Sequence, residues 1–456
     1  MSIIIPANSA VGGGFEVANS LRFNSGSSDY LTFPSPGTSG NRKTWTLSLW
    51  FKRANLGSEQ TLFSSGGGHL YEGFVRINSS DRLEFKNDGQ YGGEASPTRV
   101  LRDVGSWYHL CWAVDVTQGT NDNRWKIYLN GTLIPASEYS SVSISNADGN
   151  ILDFQSNASD LTVGRRERTD NSYWDGYVSE TVLIDGTQNA VTDFGEFDED
   201  SGAWKAINVS GLTFGTNGFY LDFENSGALG NDAAGSNNFT VNNLTAIDQS
   251  TDTCTNNFAT GNSLVVGAPG TYSEGNLKIT NGSNNWQTFW SSIAVSQGKW
   301  WVEVKCTSGN FVLGISETTS NELYASGPEH FIGGFTAEIG YYQDGRKFVE
   351  NSASSYGASF ADGDFIGMAL DLDSGTRTIN FYKNGSAQGN ITLPSSMETM
   401  TFGIANSAGN AELNFGSPSF SISSGNADGN GYGNFEYAVP SGHLSLNTKN
   451  LSEALS

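Results

Sequence analysis

The sequence is short of positive charge. Lys and Arg total 24 against 47 Asp and Glu, a formal charge of −23. A surface of that sign repels phosphate, which excludes nucleic-acid binding through a basic face and docking on anionic lipid. Apolar runs long enough to cross a bilayer as a helix are missing too. Histidine is scarce: His69, His109, His330 and His443. None lies in an HExxH pattern or beside a nucleophile motif, and no Gly-rich phosphate loop opens a helix. Acyl and phosphoryl transfer therefore have no support in the sequence. The three cysteines, Cys111, Cys254 and Cys306, are odd in number, far apart and lack a CxxC. Neither a disulfide framework nor a zinc site is indicated, and Cys111 and Cys306, in apolar or alternating patterns, are expected as buried thiols. The opening residues MSIIIPANSAVGGG carry no basic or apolar signal-peptide region, so the expectation is a chain that stays in the cytosol where it is made.

What is abundant is glycine, 56 residues, and asparagine, 44 of the 456. Both supply the φ > 0 positions that tight turns need. Charged residues are only 16% and aromatics 12%, ample for a core, so general disorder is excluded. The Asn-x-Ser/Thr sequons, as at Asn130, Asn157 and Asn384, follow from this composition. The length predicts about two to four domains.

From about 20 to 185 the chain reads as short alternating strands broken by Gly, Asn, Asp and Ser clusters, with no helical period between them, the pattern of a sandwich or barrel. In WTLSLWF, Trp45, Leu47, Leu49 and Phe51 face one way and Thr46, Ser48 and Trp50 the other. Two segments resemble each other, Trp107–Ile134 and Asp364–Gly389. Each is an apolar strand ending in Asp (Asp115, Asp371), a Gly-containing turn, and an aromatic strand ending in Asn-Gly, the preferred type I′ hairpin turn. The fold class read from this is all-β, two antiparallel β-sandwiches of jelly-roll type joined by an ordered connector. The expected division is an N-terminal segment 1–19, a first sandwich 20–185, an Asn/Gly/Asp-rich connector 186–262, a second sandwich 263–418 and a tail 419–456. The connector is expected to be ordered because Trp204, Phe214, Phe219, Tyr220 and Phe223 need burial. The tail is expected to be extended, with a local anchor at Tyr432–Tyr437.

SLRFNSGSSDYLTF, WTLSLWFK, TLFSSG, WYHLCWAVD, WKIYLNGTLI and YWDGYVSETVLID, in that order and spacing, resemble the laminin-G-like, concanavalin-type lectin/glucanase sandwiches. GKWWVEVKC, FVLGISE, GDFIGMALDLDSGTRTINFYKNG and TFGIANSAGNAELNFG resemble SPRY domains. The combination, with the connector GNDAAGSNNFTVNNL and the ending GHLSLNTKNL, is similar to structural proteins of marine tailed phages, although SEALS replaces their usual Pro-containing finish. That resemblance implies a virion protein of tail-fibre or minor-virion type, assembled in the host cytoplasm. Its implied partners are other virion proteins, copies of itself in a symmetric assembly such as a trimer, and a host-surface glycan or protein receptor. The segment Met1–Val17, apolar at Ile3–Ile5, is then a candidate virion anchor. The alternative is a capsid or head-decoration protein.

Candidate site residues are few. Glu196, Asp198 and Asp200 of EFDED have the period of two of a glucanase carboxylate set, but the second Glu is replaced by Asp and the motif follows the sandwich. A solvated acidic loop is the better reading and no enzyme activity is expected; a glycan-degrading enzyme built on this motif is the remote alternative. Asp115, Asp122 and Asp170 could reach a loop-bound calcium ion, but no motif fixes them, and no cofactor is expected. Asp371 and Asp373 read as Asx-turn residues. His109 reads as a packed, hydrogen-bonded imidazole. An exposed ring stacks on the apolar face of a pyranose; Tyr91, Tyr173, Trp174 and Trp290, in Gly/Asn/Asp-rich contexts, are the candidate platforms. Trp45, Trp107, Trp112 and Trp301 read as core. In the SPRY-like half the loops Ser320–His330 and Asp344–Tyr356, with His330 and Asp344, are the expected recognition edge.

Overall fold

A computed structural model of the protein describes residues 14–66, 72–87, 93–144, 158–265, 270–319 and 331–454. The chain divides into two compact units, one ending at Thr255 and the other starting at Asn256. Both are antiparallel β-structures, so the fold class is all-β with two sandwich domains. Among the described residues the α-helices are α1 (Asn121–Arg124) and α2 (Thr448–Ala454).

The first unit begins with β1 (Ser20–Phe23), β2 (Tyr30–Phe33), β3 (Thr44–Arg53), β4 (Gln60–Gly66), β5 (Gly73–Ile77) and β6 (Leu83–Asn87). It continues with β7 (Gly93–Pro97), β8 (Trp107–Asp115), β9 (Trp125–Leu129), β10 (Thr132–Leu133), β11 (Tyr139–Ile144), β12 (Asp160–Val163) and β13 (Gly176–Asp185). Then come β14 (Gly195–Phe197), β15 (Trp204–Ala206), β16 (Phe219–Leu221), β17 (Thr240–Asn242) and β18 (Gln249–Ser250). One sheet runs β10-β9-β8-β3-β13-β1-β18, with β16 also on β13; the other runs β11-β7-β6-β5-β4-β12-β2-β17. Alternation along β3 sends Trp45, Leu47, Leu49 and Phe51 into the core between the sheets, against Leu62, Val75 and Phe85. The opposite face is not solvated. Trp50, Cys111, Ala113 and Ile184 lie under Val191, Phe194, Trp204, Val209 and Tyr220.

That cover is the stretch read as a connector. It also extends both sheets: β16 pairs with β13, β17 with β2 and β18 with β1. Buried ion pairs fasten it. Lys52 Nζ lies 2.8 Å from Asp252, whose other oxygen accepts the Trp107 indole N–H at 3.1 Å, and Arg22 lies 2.9 Å from Asp248. Removing one partner of such a pair leaves an uncompensated buried charge, at a cost of about 3–5 kcal/mol.

The second unit has β19 (Thr271–Ser273), β20 (Lys278–Asn281), β21 (Gln287–Val295), β22 (Lys299–Glu317), β23 (Glu338–Tyr342) and β24 (Arg346–Val349). It ends with β25 (Ser352–Ser355), β26 (Phe365–Asp371), β27 (Thr378–Lys383), β28 (Ser386–Thr392), β29 (Met400–Asn414) and β30 (Leu444–Ser445). The long strands β22 and β29 pair along their length and slip register between Cys306 and Asn310. Before the slip β22 carries β26, then β27 and β28; after it, β23, then β24 and β25. The two strands thus turn a corner and serve both layers. Gly309 (φ 100) and Gly409 permit it, since a Cβ on Gly409 would lie 1.8 Å from the Ser308 carbonyl oxygen.

The C-terminal residues are packed, not extended. Trp301 points to the outer face of β22 and needs a cover, which Phe435 supplies together with Ala369. Glu303 accepts the backbone N–H groups of Glu436 and Tyr437, each at 2.9 Å. Then β30 lies parallel beside β22, and α2 follows.

The internal likeness of the two halves is visible in the turns. Asn130–Gly131 and Asn384–Gly385 both have φ > 0 at each residue, as a type I′ turn requires. Each asparagine side chain accepts a backbone N–H of the neighbouring strand, His109 at 2.7 Å and Phe365 at 2.8 Å. Asp115 and Asp371 each tie down the following turn, through Thr117 N–H at 3.0 Å and Ser374 N–H at 3.0 Å.

Candidate functional site

At one edge of the first sandwich the sheets stand apart. After the hairpin β9–β10 the chain passes Pro135 and a short 3-10 turn, Ala136–Glu138, and joins the opposite sheet as β11 beside β7. The crossing is pinned by the bidentate pair of Arg99 with Glu138, at 2.5 and 3.0 Å, and by Thr98 N–H on the Glu138 carbonyl. Between β9–β10 and β7–β11 remains a cleft of about 240 Å³. Trp125 and Ile127 from β9, Leu133 from β10 and Val142 from β11 form apolar walls, and Tyr139 from β11 also lines it. Leu133 and Val142 are 46% and 44% exposed and both line this one cleft. Gly93 makes room for the Trp125 indole, since a Cβ there would lie 2.6 Å from the ring. The volume is just below the ~300–1,000 Å³ of sites for drug-sized molecules, so it suits one small ring or chain end.

The polar groups are concentrated at α1, where Asn121 and Asp122 are exposed at the mouth. Arg124, the last residue of α1, is buried. Its guanidinium donates to Gln118 O at 2.8 Å, Gly119 O at 3.3 Å, Asn121 Oδ1 at 2.9 Å and Ile144 O at 3.4 Å, which ties α1 to the end of β11. Burial, and then the nearby Asp122 carboxylate, push the Tyr139 phenol well above its ordinary range, so it stays an O–H donor. The cleft thus offers aromatic and aliphatic surface, one carboxylate, one amide and one phenol. Among the described residues its lining carries no cation.

The residues singled out from sequence do not converge. Tyr173 is half-buried, its ring 6.2 Å from Tyr30, over which the Arg165 guanidinium lies at 3.8 Å. Trp174 is fully buried in the inter-sheet core, edge-on to Phe51 at 5.8 Å. Trp290 is buried with Val312, Ile332 and Ala405. The exposure expected of Trp174 and Trp290 is therefore corrected: neither presents a ring face to a ligand. Asp344 is exposed in the turn between β23 and β24 and pairs with Arg346 at 2.7 Å. Tyr91, His330 and the loop Ser320–His330 lie outside the described residues.

EFDED is a hairpin, not an active-site strand. Glu196 lies on β14, and Asp198 accepts the N–H groups of Asp200 and Ser201 at 3.2 and 2.9 Å, closing the turn to β15. Lys205 pairs with both, at 3.2 Å from Glu196 and 3.4 Å from Asp198. Asp198 is buried, not solvated as the sequence suggested. His109 is buried between Ser48 Oγ, at 2.9 Å from Nε2, and the Trp204 indole N–H, at 3.0 Å from Nδ1. An indole only donates, so Nδ1 accepts and Nε2 carries the proton. Burial lowers its pKa to about 3, which keeps it neutral. All three cysteines are free and buried, and burial raises each thiol pKa. Among the described residues no group of three or more His, Cys, Asp or Glu could hold a metal ion. Asp170 pairs with Arg165 at 2.9 Å, and Asp115 serves its own turn.

An all-β chain of two sandwiches, each with a layered core, defines a class of protein before it defines a member. Residues 25–190 match the concanavalin A-like lectin/glucanases superfamily, and residues 298–416 match the SPRY domain. The chain therefore carries one domain of each kind. No curated protein matches it. Among solved structures it is similar to a human SPRY domain, 18% identical, covering 30% of this chain and 90% of that one at TM-score 0.25. It is also similar to a "putative carbohydrate binding protein" from Bacteroides ovatus, 18% identical, covering 50% of this chain and 59% of that one at TM-score 0.35. A SAP-like pentraxin from Limulus polyphemus is 14% identical, covering 39% of this chain and 82% of that one at TM-score 0.28.

Sequence reasoning missed the cleft. A local signal was Val142 in YSSVSI, which period-two alternation places on the same face as the buried Ile144.

Proposed function

We propose that this chain is a non-enzymatic adhesion protein of a tailed-phage virion, a tail-fibre or other surface component, whose first sandwich holds a host-surface glycan in the edge cleft. The observation that carries the binding reading is the cleft itself: concave, mostly apolar, with a few polar groups gathered at one end of a rigid scaffold. Two sandwiches present loops on rigid scaffolds, which suits recognition. The virion reading rests on the resemblance of the domain pair and its connector to phage structural proteins. On that reading the protein assembles with other virion proteins in the host cytoplasm, as a symmetric homo-oligomer such as a trimer. Many copies then multiply a weak single site by avidity.

Two measurements test this. Full-length protein on a glycan array and on host cells is expected to bind and to compete with phage adsorption; absence of both effects overturns adhesion. Antibody labelling of particles is expected to mark tails, whereas head labelling turns the reading to capsid decoration.

A further inference from the structure

The cleft's chemistry is narrower than "a glycan". Its lining carries one carboxylate, Asp122, and no cation among the described residues. The guanidiniums beside the lining are both engaged: Arg99 is paired with Glu138 at 2.5 and 3.0 Å, next to Tyr139, and Arg124 is occupied by three backbone carbonyls and Asn121 Oδ1. A uronic or sialic acid would therefore bring its charge beside Asp122 with no cation on the described lining to neutralise it, on a chain of net charge −23.

The hydrogen-bonding inventory is equally selective. An ionised carboxylate only accepts, so Asp122 asks for an N–H or O–H donor on the ligand. Asn121 has its oxygen engaged by Arg124 at 2.9 Å, which leaves its amide N–H groups to donate to a ligand carbonyl. Beside this acceptor–donor pair lie the apolar walls of Trp125, Ile127, Leu133 and Val142, where a methyl group is removed from water. An N–H, a carbonyl and a methyl held together are the three parts of an acetamido group.

We propose that the cleft selects a neutral N-acetylated sugar, its acetamido group spanning Asp122 and Asn121 with the methyl against the apolar walls. The inference rests on the glycan reading of this cleft and names its ligand class.

The test titrates the full-length protein with N-acetylglucosamine, glucose, glucosamine and glucuronic acid by ligand-observed NMR. Wild type is expected to bind N-acetylglucosamine at least tenfold tighter than glucose or glucosamine, with no binding of glucuronic acid. Asp122→Asn, at an exposed position, is expected to weaken N-acetylglucosamine about tenfold with the thermal transition unchanged. Equal affinity for glucose and N-acetylglucosamine, or preference for glucosamine or glucuronic acid, overturns the N-acetyl assignment and leaves glycan binding standing. So does an unchanged affinity in Asp122→Asn. Failure of a full glycan array, acidic and neutral, overturns both.

Discussion

Glu180 sits in the bulge of β13, where the register slips between Ser179 and Val182 and its own φ is 47°. The side chain is buried and accepts the Tyr220 hydroxyl at 2.7 Å. Burial raises its pKa from 4.5 to about 8; the Tyr220 hydrogen bond opposes this, and Asp222 and Glu224 add to it. The folded state thus binds a proton that the unfolded state gives up above pH 4.5, so this group stabilises the fold fully below that pH. The contribution is lost as pH rises towards 8, the reverse of an ordinary salt-bridged carboxylate. At about 1.4 kcal/mol per pKa unit, the cost is about 1 kcal/mol at pH 5 and about 4 kcal/mol at pH 8. Glu180→Gln keeps the shape and the acceptor for Tyr220 but has no proton to lose. Urea unfolding of the full chain, followed by tryptophan fluorescence, is expected to find the variant gaining about 3 kcal/mol relative to wild type between pH 5 and pH 8. A difference that does not change with pH would refute the reasoning, because Glu180 would then ionise as it does in water.

Gly131→Ala tests the cover on the first sandwich. The added Cβ would lie 2.2 Å from the Trp204 ring at a φ of +73°, so a loss of about 1–3 kcal/mol is expected. Gly119→Ala, with nothing within 4 Å, should leave the same urea midpoint unchanged. Phe435→Ala removes the ring over Trp301, and a loss of about 3–5 kcal/mol is expected. Limited proteolysis should then cut between Ser419 and Pro440; an intact C-terminal stretch under conditions that leave wild type uncut would contradict the packing.

The hairpins were legible because period-two alternation and Asn-Gly turns are local signals, and both Asn-Gly pairs have the φ > 0 that reading required. The merging of the connector into the first sandwich was not. Its strands are two or three residues long, and the Arg22–Asp248 pair closes 226 residues of chain, beyond any local pattern. Trp174 misled because its Gly, Asn and Asp neighbours report a turn, while the side chain turns inward to Phe51. The cleft needed knowledge of which edge strands face each other, since Ala95 and Leu133 come from different sheets. The glutamates Glu180 and Glu303 were invisible for a similar reason. Each is buried by partners from distant segments, Tyr220 in one case and the C-terminal backbone in the other.

The recognition site proposed above is the edge cleft of the first sandwich. Ala136 lines it at an exposed position, so Ala136→Trp fills the space without disturbing the buried core. Wild type and variant, both full length, would be compared on one glycan array and by thermal unfolding. Array binding is expected to fall at least tenfold in the variant while its unfolding profile is unchanged. Equal binding by both proteins would contradict this placement of the site.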